Sequence, residues 1–529
     1  MTAEKPPAKP GLARSGTIVS GMTLISRVLG FIRDQVFAIA LGAGAMTDAF
    51  FVAFKIPNFL RRLFAEGAFA QSFVPVFTEY KETRSKEALL ALASRVSGTL
   101  AVILLLISVL GSVFAPAVVS VFAPGFEDGG VRQRLTTEML RITFPYLFFI
   151  SLVAYAGGVL NSFNRFAVPA LTPVFLNICL ITAALWGTRY FPQPVIALAW
   201  GVFAAGLIQL LFQLPSLYKL GLLTMPRWGW RDSGVRKIMK LMIPAIIGSS
   251  VAQINLLLDT VIASFLIAGS VSWLYYADRL VEFPLGVFGI AIATVILPRL
   301  SAIHANDKPQ VFSNTLEWGA RLGWFIALPC AAGLLMLALP LLATLFGYGA
   351  FSEHDVSMSA WSLRAYALAL PGFILIKILA PGFFARQNTK TPVRIGIIAM
   401  ISNMAYNIIL VGGLLWMAIP AAHTGLALAT ALSANQQALM LYLRLRKEGV
   451  ISVSPTTWRM IAKAMIATVT MSLIIALLTP SATDWFSMQA SARVLTLTGI
   501  IVASVIVYFA VLLMSGIRPR HVLSNTPDS

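Results

Sequence analysis

Two stretches near the amino terminus place ionisable side chains inside runs that are otherwise apolar. SRVLGFIRD, residues 26–34, carries Arg27, Arg33 and Asp34, and residues 47–75 carry Asp48, Lys55, Arg61, Arg62 and Glu66. Arg27 and Asp34 lie two helical turns apart, while Asp48, Lys55, Arg62 and Glu66 follow at seven, seven and four residues, so each set shares a helix face. A charge at the centre of a bilayer costs roughly 2.5–3.5 kcal/mol. Five cations against three acids on two successive helices therefore call for water, a partner or an anion. The plainer alternative pairs Arg62 with Glu66 at i,i+4 and lets Arg27 and Lys55 snorkel. A third group, in residues 269–298, holds Asp278, Arg279 and Glu282 just after Trp273, Tyr275 and Tyr276. The planar fork of Arg279, well inside its apolar run, suits phosphate oxygens. The neighbouring aromatic rings read first as an interfacial belt and second as a platform for a sugar. Asp259 is equally consistent with lining a cavity and with pairing helices, and Lys377 with snorkelling.

The elements that must position these groups follow from composition. Of 529 residues 58% are hydrophobic and 12% charged, with a mean hydropathy of +0.82, which excludes a soluble enzyme or a disordered scaffold. Continuous apolar runs of about twenty residues exclude a β-barrel and leave helices as the spanning structure. The fold class is thus an all-α polytopic membrane protein with about fourteen transmembrane helices. Lys and Arg fall overwhelmingly in alternate connections, twenty-five against three, which places both termini in the cytoplasm. The net charge of +19 is dispersed among those connections and forms no patch for nucleic acid. Cys179 and Cys330 offer neither a disulfide framework nor zinc spacing, the four histidines are scattered, and no GxxxxGK[ST] loop points to ATP; no cofactor or metal is expected.

Local features recur at an offset near 223: Pro75 and Pro298, Leu140–Arg141 and Leu363–Arg364, Pro169 and Pro392. Six helices per copy give both copies the same orientation, as a parallel repeat requires. The expected organisation is a disordered cytoplasmic tail (1–16), an N-terminal lobe (17–237), a C-terminal lobe (238–450), two additional helices (451–515) and a second tail (516–529).

On SRVLGFIRD, TDAFFVAFKIPNFLRRLFAEGAFAQSFVP, SVSWLYYADRLVEFP and APGFFARQNTKTPV, the chain resembles the MurJ/MviN family of lipid II flippases, within the superfamily of multidrug and polysaccharide exporters. The likeness extends over roughly residues 15–515. It implies transport of undecaprenyl-diphosphate carrying the peptidoglycan disaccharide-pentapeptide across the bacterial inner membrane. It also implies that Arg27, Arg33, Asp34, Asp48, Arg61, Arg279 and Glu282 line or support a central cavity, with Arg33, Asp34 and Arg279 nearest the diphosphate; Arg62 joins them on its spacing. The last two helices would form a groove for the lipid tail. Energy would come from the membrane potential or a coupled monovalent cation, and cell-wall synthesis proteins are candidate partners. The rival readings are an exporter of another polyprenyl-linked oligosaccharide, a membrane glycosyltransferase or polymerase, and a recruiting scaffold. An exporter of cationic drugs would want an acidic or apolar cavity, and a polymerase would want external carboxylates beyond the Glu127 and Asp128 of a short outward loop near 116–137.

Overall fold

The computed structural model describes residues 12–63 and 69–518, with side chains throughout except at 12–18, 247–252 and 290. Its regular elements are helical: α1 (Leu12–Leu41), α2 (Ala45–Arg61), α3 (Ala70–Thr83), α4 (Lys86–Val113), α5 (Ala115–Phe122), α6 (Val131–Ser162), α7 (Ala167–Leu185), α8 (Pro194–Lys219), α9 (Ser233–Ser264), α10 (Ser270–Pro284), α11 (Ile290–Ala305), α12 (Pro309–Met336), α13 (Ala338–Leu345), α14 (Glu353–Ala367), α15 (Leu370–Phe384), α16 (Lys390–Trp416), α17 (Thr424–Lys447), α18 (Pro455–Leu478), α19 (Ala482–Ser487) and α20 (Ala490–Met514). Residues 1–11, most of the expected N-terminal tail, lie outside the described residues, and α1 already begins at Leu12.

Among the described residues, ten helical stretches are long and apolar enough to cross a membrane. The other four expected spans fall on α1, on α2 with α3, on α9 and on α17, where Arg, Lys, Asp, Asn and Gln dilute the apolar run or the helix is interrupted. Large apolar side chains stand exposed along α4 (Leu105, Leu106), α16 (Ile408, Ile409), α18 (Leu473, Leu477) and α20 (Leu495, Ile506). In water such faces would aggregate, whereas in hydrocarbon they cost nothing.

The chain divides into two compact units, one running to Leu41 and resuming over Ala45–Val261, the other made of Gly42–Gly44 and the chain from Ile262 onward. In the first unit α6 packs against α2, α4 and α8. A ladder of Phe69, Phe73 and Phe77, with successive ring centroids 5.0 Å apart, meets Tyr155 of α6, whose hydroxyl donates to Ala93 O at 3.0 Å. Val235, Ile238 and Met242 of α9 pack in the same cluster. That packing carries the contact boundary to Val261, one helix later than the 237/238 division read from the repeat.

In the second unit the repeat is visible in the element bounds. Here α12 and α13 reproduce α4 and α5 in length, each displaced by 223 residues at both ends, and α16 starts 223 residues after α7. The chain breaks between α12 and α13 at Leu337 as it does between α4 and α5 at Phe114, and the expected loop 116–137 contains most of α5. Both copies of the sequence repeat also interrupt their second helical segment. Residues 62–63 and 69 take π-helical geometry between α2 and α3, and Leu285–Gly289 form a π turn between α10 and α11. Pro57 and Pro284, which cannot donate to the helical ladder, lie near these interruptions.

The additional helices are tied in by an unusual arginine. Arg493, 8% exposed, donates to four carbonyls: Trp485 O (3.1 Å), Phe486 O (2.8 Å), Ala343 O (3.2 Å) and Gly347 O (3.2 Å). It thereby joins α20 to α19 and to α13 with the residues that follow it. The helix α18 packs on α12 and α20, and Tyr508 OH donates to Phe325 O at 2.8 Å.

Beyond the end of α17, Glu448 receives Arg386 Nη2 at 2.8 Å and Arg444 Nε at 2.7 Å. Burial pushes this carboxyl up, but the hydrogen bonds and charges of Arg386 and Arg444 outweigh it and hold it below the ordinary carboxylate range. A depressed acid stabilises the fold above its unfolded pKa and loses that contribution as pH falls through the folded value. Glu448→Gln should therefore lower the unfolding temperature at pH 7 and converge on the parent protein below about pH 4. Parallel thermal unfolding of the two proteins in detergent checks this, and a gap independent of pH would count against it.

Candidate functional site

The first unit brings α1 and α7 together through Arg33. Its Nε and Nη2 donate to Asp34 Oδ1 at 2.9 and 2.6 Å, and Nη1 donates to Asn177 Oδ1 at 3.1 Å. Asn177 Nδ2 in turn donates to Ser26 O at 3.0 Å. The side chains of Arg33 and Asp34 are 12% and 3% exposed, and the guanidinium lies 5.7 Å from the Phe37 ring centroid. The sequence put Asp34 on the face of Arg27. The structure pairs it with its neighbour Arg33, whose long stem curls back, while Arg27 stays exposed with no ion pair among the described residues.

On α2, Asp48 is buried in the first turn, where a negative charge complements the helix amino terminus. Arg61 Nε donates to Asn58 Oδ1 at 2.9 Å, and Lys55 and Arg62 are half-buried. Glu66, and with it the proposed Arg62–Glu66 pair, lies outside the described residues.

In the second unit Arg279 Nη1 donates to Glu282 Oε2 at 2.8 Å and its guanidinium sits 4.8 Å from the Tyr275 ring centroid. The pair is partly open, with the arginine side chain 29% and the glutamate 49% exposed. It stands one helical turn before the π turn. The expected aromatic belt is not there, because Trp273 and Tyr276 are core residues. Trp273 Nε1 donates to Asp355 Oδ1 at 2.8 Å and the ring packs against His354 and His423; Tyr276 packs on Phe346 and Phe351. Only Tyr275 of the three is half-buried.

Arg33 and Arg279 thus each sit with a carboxylate and a second group that fixes the guanidinium plane, Asn177 for the first and Tyr275 for the other. A guanidinium has five N–H donors in a fork matched to phosphate and carboxylate oxygens. Asp34 and Glu282 offset Arg33 and Arg279 one for one. Asn177 was missed from sequence; its only signal was a carboxamide inside the apolar run of α7.

A family model described as lipid II flippase MurJ matches residues 37–497. The chain belongs to the lipid II flippase MurJ family. Among MurJ relatives, a "Probable lipid II flippase MurJ" of Vibrio cholerae is 48% identical over 97% of this chain and 98% of its own length. The "Lipid II flippase MurJ" of Burkholderia cenocepacia is 41% identical over 96% and 98%. A solved lipid II flippase MurJ in an inward closed conformation superposes with a TM-score of 0.79 at 28% identity, covering 95% of this chain and all of that one. An inward-facing multidrug resistance MATE family transporter of the MOP superfamily shares the fold at 14% identity, with a TM-score of 0.65 over 82% of this chain. MurJ relatives are named as flippases, so the chain is a membrane transporter rather than an enzyme.

Proposed function

We propose that this protein is a lipid II flippase of the bacterial inner membrane, both termini cytoplasmic, moving the undecaprenyl-diphosphate-linked peptidoglycan precursor from the cytoplasmic to the periplasmic leaflet. The observation that carries this reading is near full-length similarity to proteins named as lipid II flippases. The chemistry agrees with it. The obstacle is a diphosphate and a large polar head crossing about 30 Å of hydrocarbon. Arg27, Arg33, Arg61, Arg62 and Arg279, with Asp34, Asp48 and Glu282 holding or balancing them, supply a cationic lining for a wet cavity while the polyprenyl chain stays in lipid. Alternating access exposes that cavity to each side in turn. An inside-negative potential favours outward movement of anionic charge by roughly 2.3 kcal/mol per charge per 100 mV. If the arginines neutralise the head, the potential instead returns the emptied cationic carrier. Either scheme makes transport sensitive to the membrane potential; coupling to a monovalent cation is the alternative drive.

Depleting the protein in its host and assaying which leaflet holds lipid II tests the reading. Accumulation on the cytoplasmic side is expected, and unchanged exposure at the outer surface would overturn it. In the same assay Arg33→Lys should complement poorly, since an ammonium cannot keep the fork shared by Asp34 and Asn177.

A further inference from the structure

A second ligand site lies in the first unit, built from α4, α9 and the segment 221–232 between α8 and α9. That segment is laid tightly on α4. Arg227 N donates to Ser94 O at 2.9 Å, Gly229 N to Thr99 Oγ1 at 3.0 Å, Ser94 Oγ bonds Met225 O, and Arg95 pairs with Asp232. The approach needs two glycines. A Cβ on Gly98 would fall 2.3 Å from Arg227 O, and one on Gly229 would fall 2.4 Å from the Arg95 Cβ. Held this way, Trp228 and Trp230 stay exposed with nearly parallel rings 6.1 Å apart. They line an open cleft of about 790 Å³ with Arg95, Gly229, Arg231, Asp232 and Ser233.

Charge around the cleft is unbalanced. Asp232 is occupied by Arg95 and by the Gly234 and Val235 N–H groups at the start of α9, and Glu79 by Lys237. The exposed Arg227, Arg231, Arg236 and Lys240 form no ion pair among the described residues. Beside the cleft an apolar cavity of about 230 Å³ runs between α4 and α9, lined by Val96, Ile103, Val235, Met239 and others, with exposed Ile243 at its rim. The two spaces are neighbours: Gly229, which lines the cleft, donates its N–H to Thr99, which lines the apolar space.

A cationic, tryptophan-flanked cleft beside an apolar slot has the polarity of an amphiphile. We propose that it binds an anionic phospholipid, the headgroup phosphate among Arg231, Trp228 and Trp230 and an acyl chain between α4 and α9. Tryptophan prefers the headgroup depth, and basic residues near a membrane surface attract anionic lipid. The lipid comes from the leaflet on the side that carries the Lys and Arg excess. The site uses none of the arginines assigned to transport and stands whether or not the flippase reading does.

Native mass spectrometry of the purified full-length protein, titrated with dioleoyl-phosphatidylglycerol or dioleoyl-phosphatidylcholine, tests it. Phosphatidylglycerol adducts should exceed phosphatidylcholine adducts about five-fold. Arg231→Gln, an exposed change that leaves the fold intact, should erase most of that preference, and Met239→Trp, which fills the apolar slot, should reduce adducts of both lipids. Millimolar inorganic phosphate should not displace the bound lipid. Equal binding of the two lipids, an unchanged preference in Arg231→Gln, or displacement by phosphate alone, which would mark a simple anion site, overturns the proposal.

Discussion

Replacing Arg279 with alanine is expected to abolish lipid II translocation while leaving the protein folded and membrane-inserted. The side chain is partly open, so its removal creates no large cavity, and Glu282, half exposed, can turn to water. What disappears is a guanidinium whose plane is fixed by Glu282 and Tyr275. If it contacts the diphosphate, the loss of one or two charge-assisted hydrogen bonds, each about 1.5–3 kcal/mol, slows transport by ten- to a thousand-fold or more. Complementation of a depleted host, with protein level measured in parallel, checks this; normal growth on a stably expressed variant removes Arg279 from the site. Lysine should restore little, because it keeps the charge but loses the fork.

Arg493→Met should have the opposite profile, with a large loss of stability and no direct effect on substrate contacts. The guanidinium is buried and supplies donors to four carbonyls on three segments, α19, α13 and the residues after α13. Methionine replaces its volume but none of its donors, so several buried acceptors lose a charged partner, at a cost of about 3–5 kcal/mol. Thermal unfolding in detergent should show the deficit, with α18 and α20 becoming sensitive to protease before the rest of the second unit. Unchanged unfolding would mean that the clasp contributes nothing net.

Arg493 also shows where sequence reading stops. An arginine three residues into an apolar helix looks like a snorkelling residue, and nothing in its own segment announces that the carbonyl of residue 343, 150 positions away, accepts from it. Asn177 escaped for the same reason, since its role depends on where α1 lies. Trp273 was misassigned because a tryptophan at a helix start fits an interfacial belt, and only the approach of Asp355, His354 and His423 turns it inward. Features with a period or an offset were legible. The 223-residue displacement survives in the bounds of α4 and α12 and of α5 and α13, because duplicated helices keep their lengths. The arginines of SRVLGFIRD and DRLVEFP were legible as well, because a charge inside an apolar run is conspicuous; the i,i+3 spacing of Arg279 and Glu282 was visible too, whereas the pairing of Asp34 with Arg33 was not.

The π turn at Leu285–Gly289 stores one residue more than an α-helical ladder of the same rise would hold. Each residue of an α-helix turns the chain by about 100°, so the surplus sets the azimuth of every side chain on α11 relative to Arg279 and Glu282 on α10. Such a defect can migrate as a dislocation does. Moving it by one turn would swing the intervening side chains to a new face while the ends of the rod stayed where they were, giving this segment a way to reorient its lining without bending or changing length.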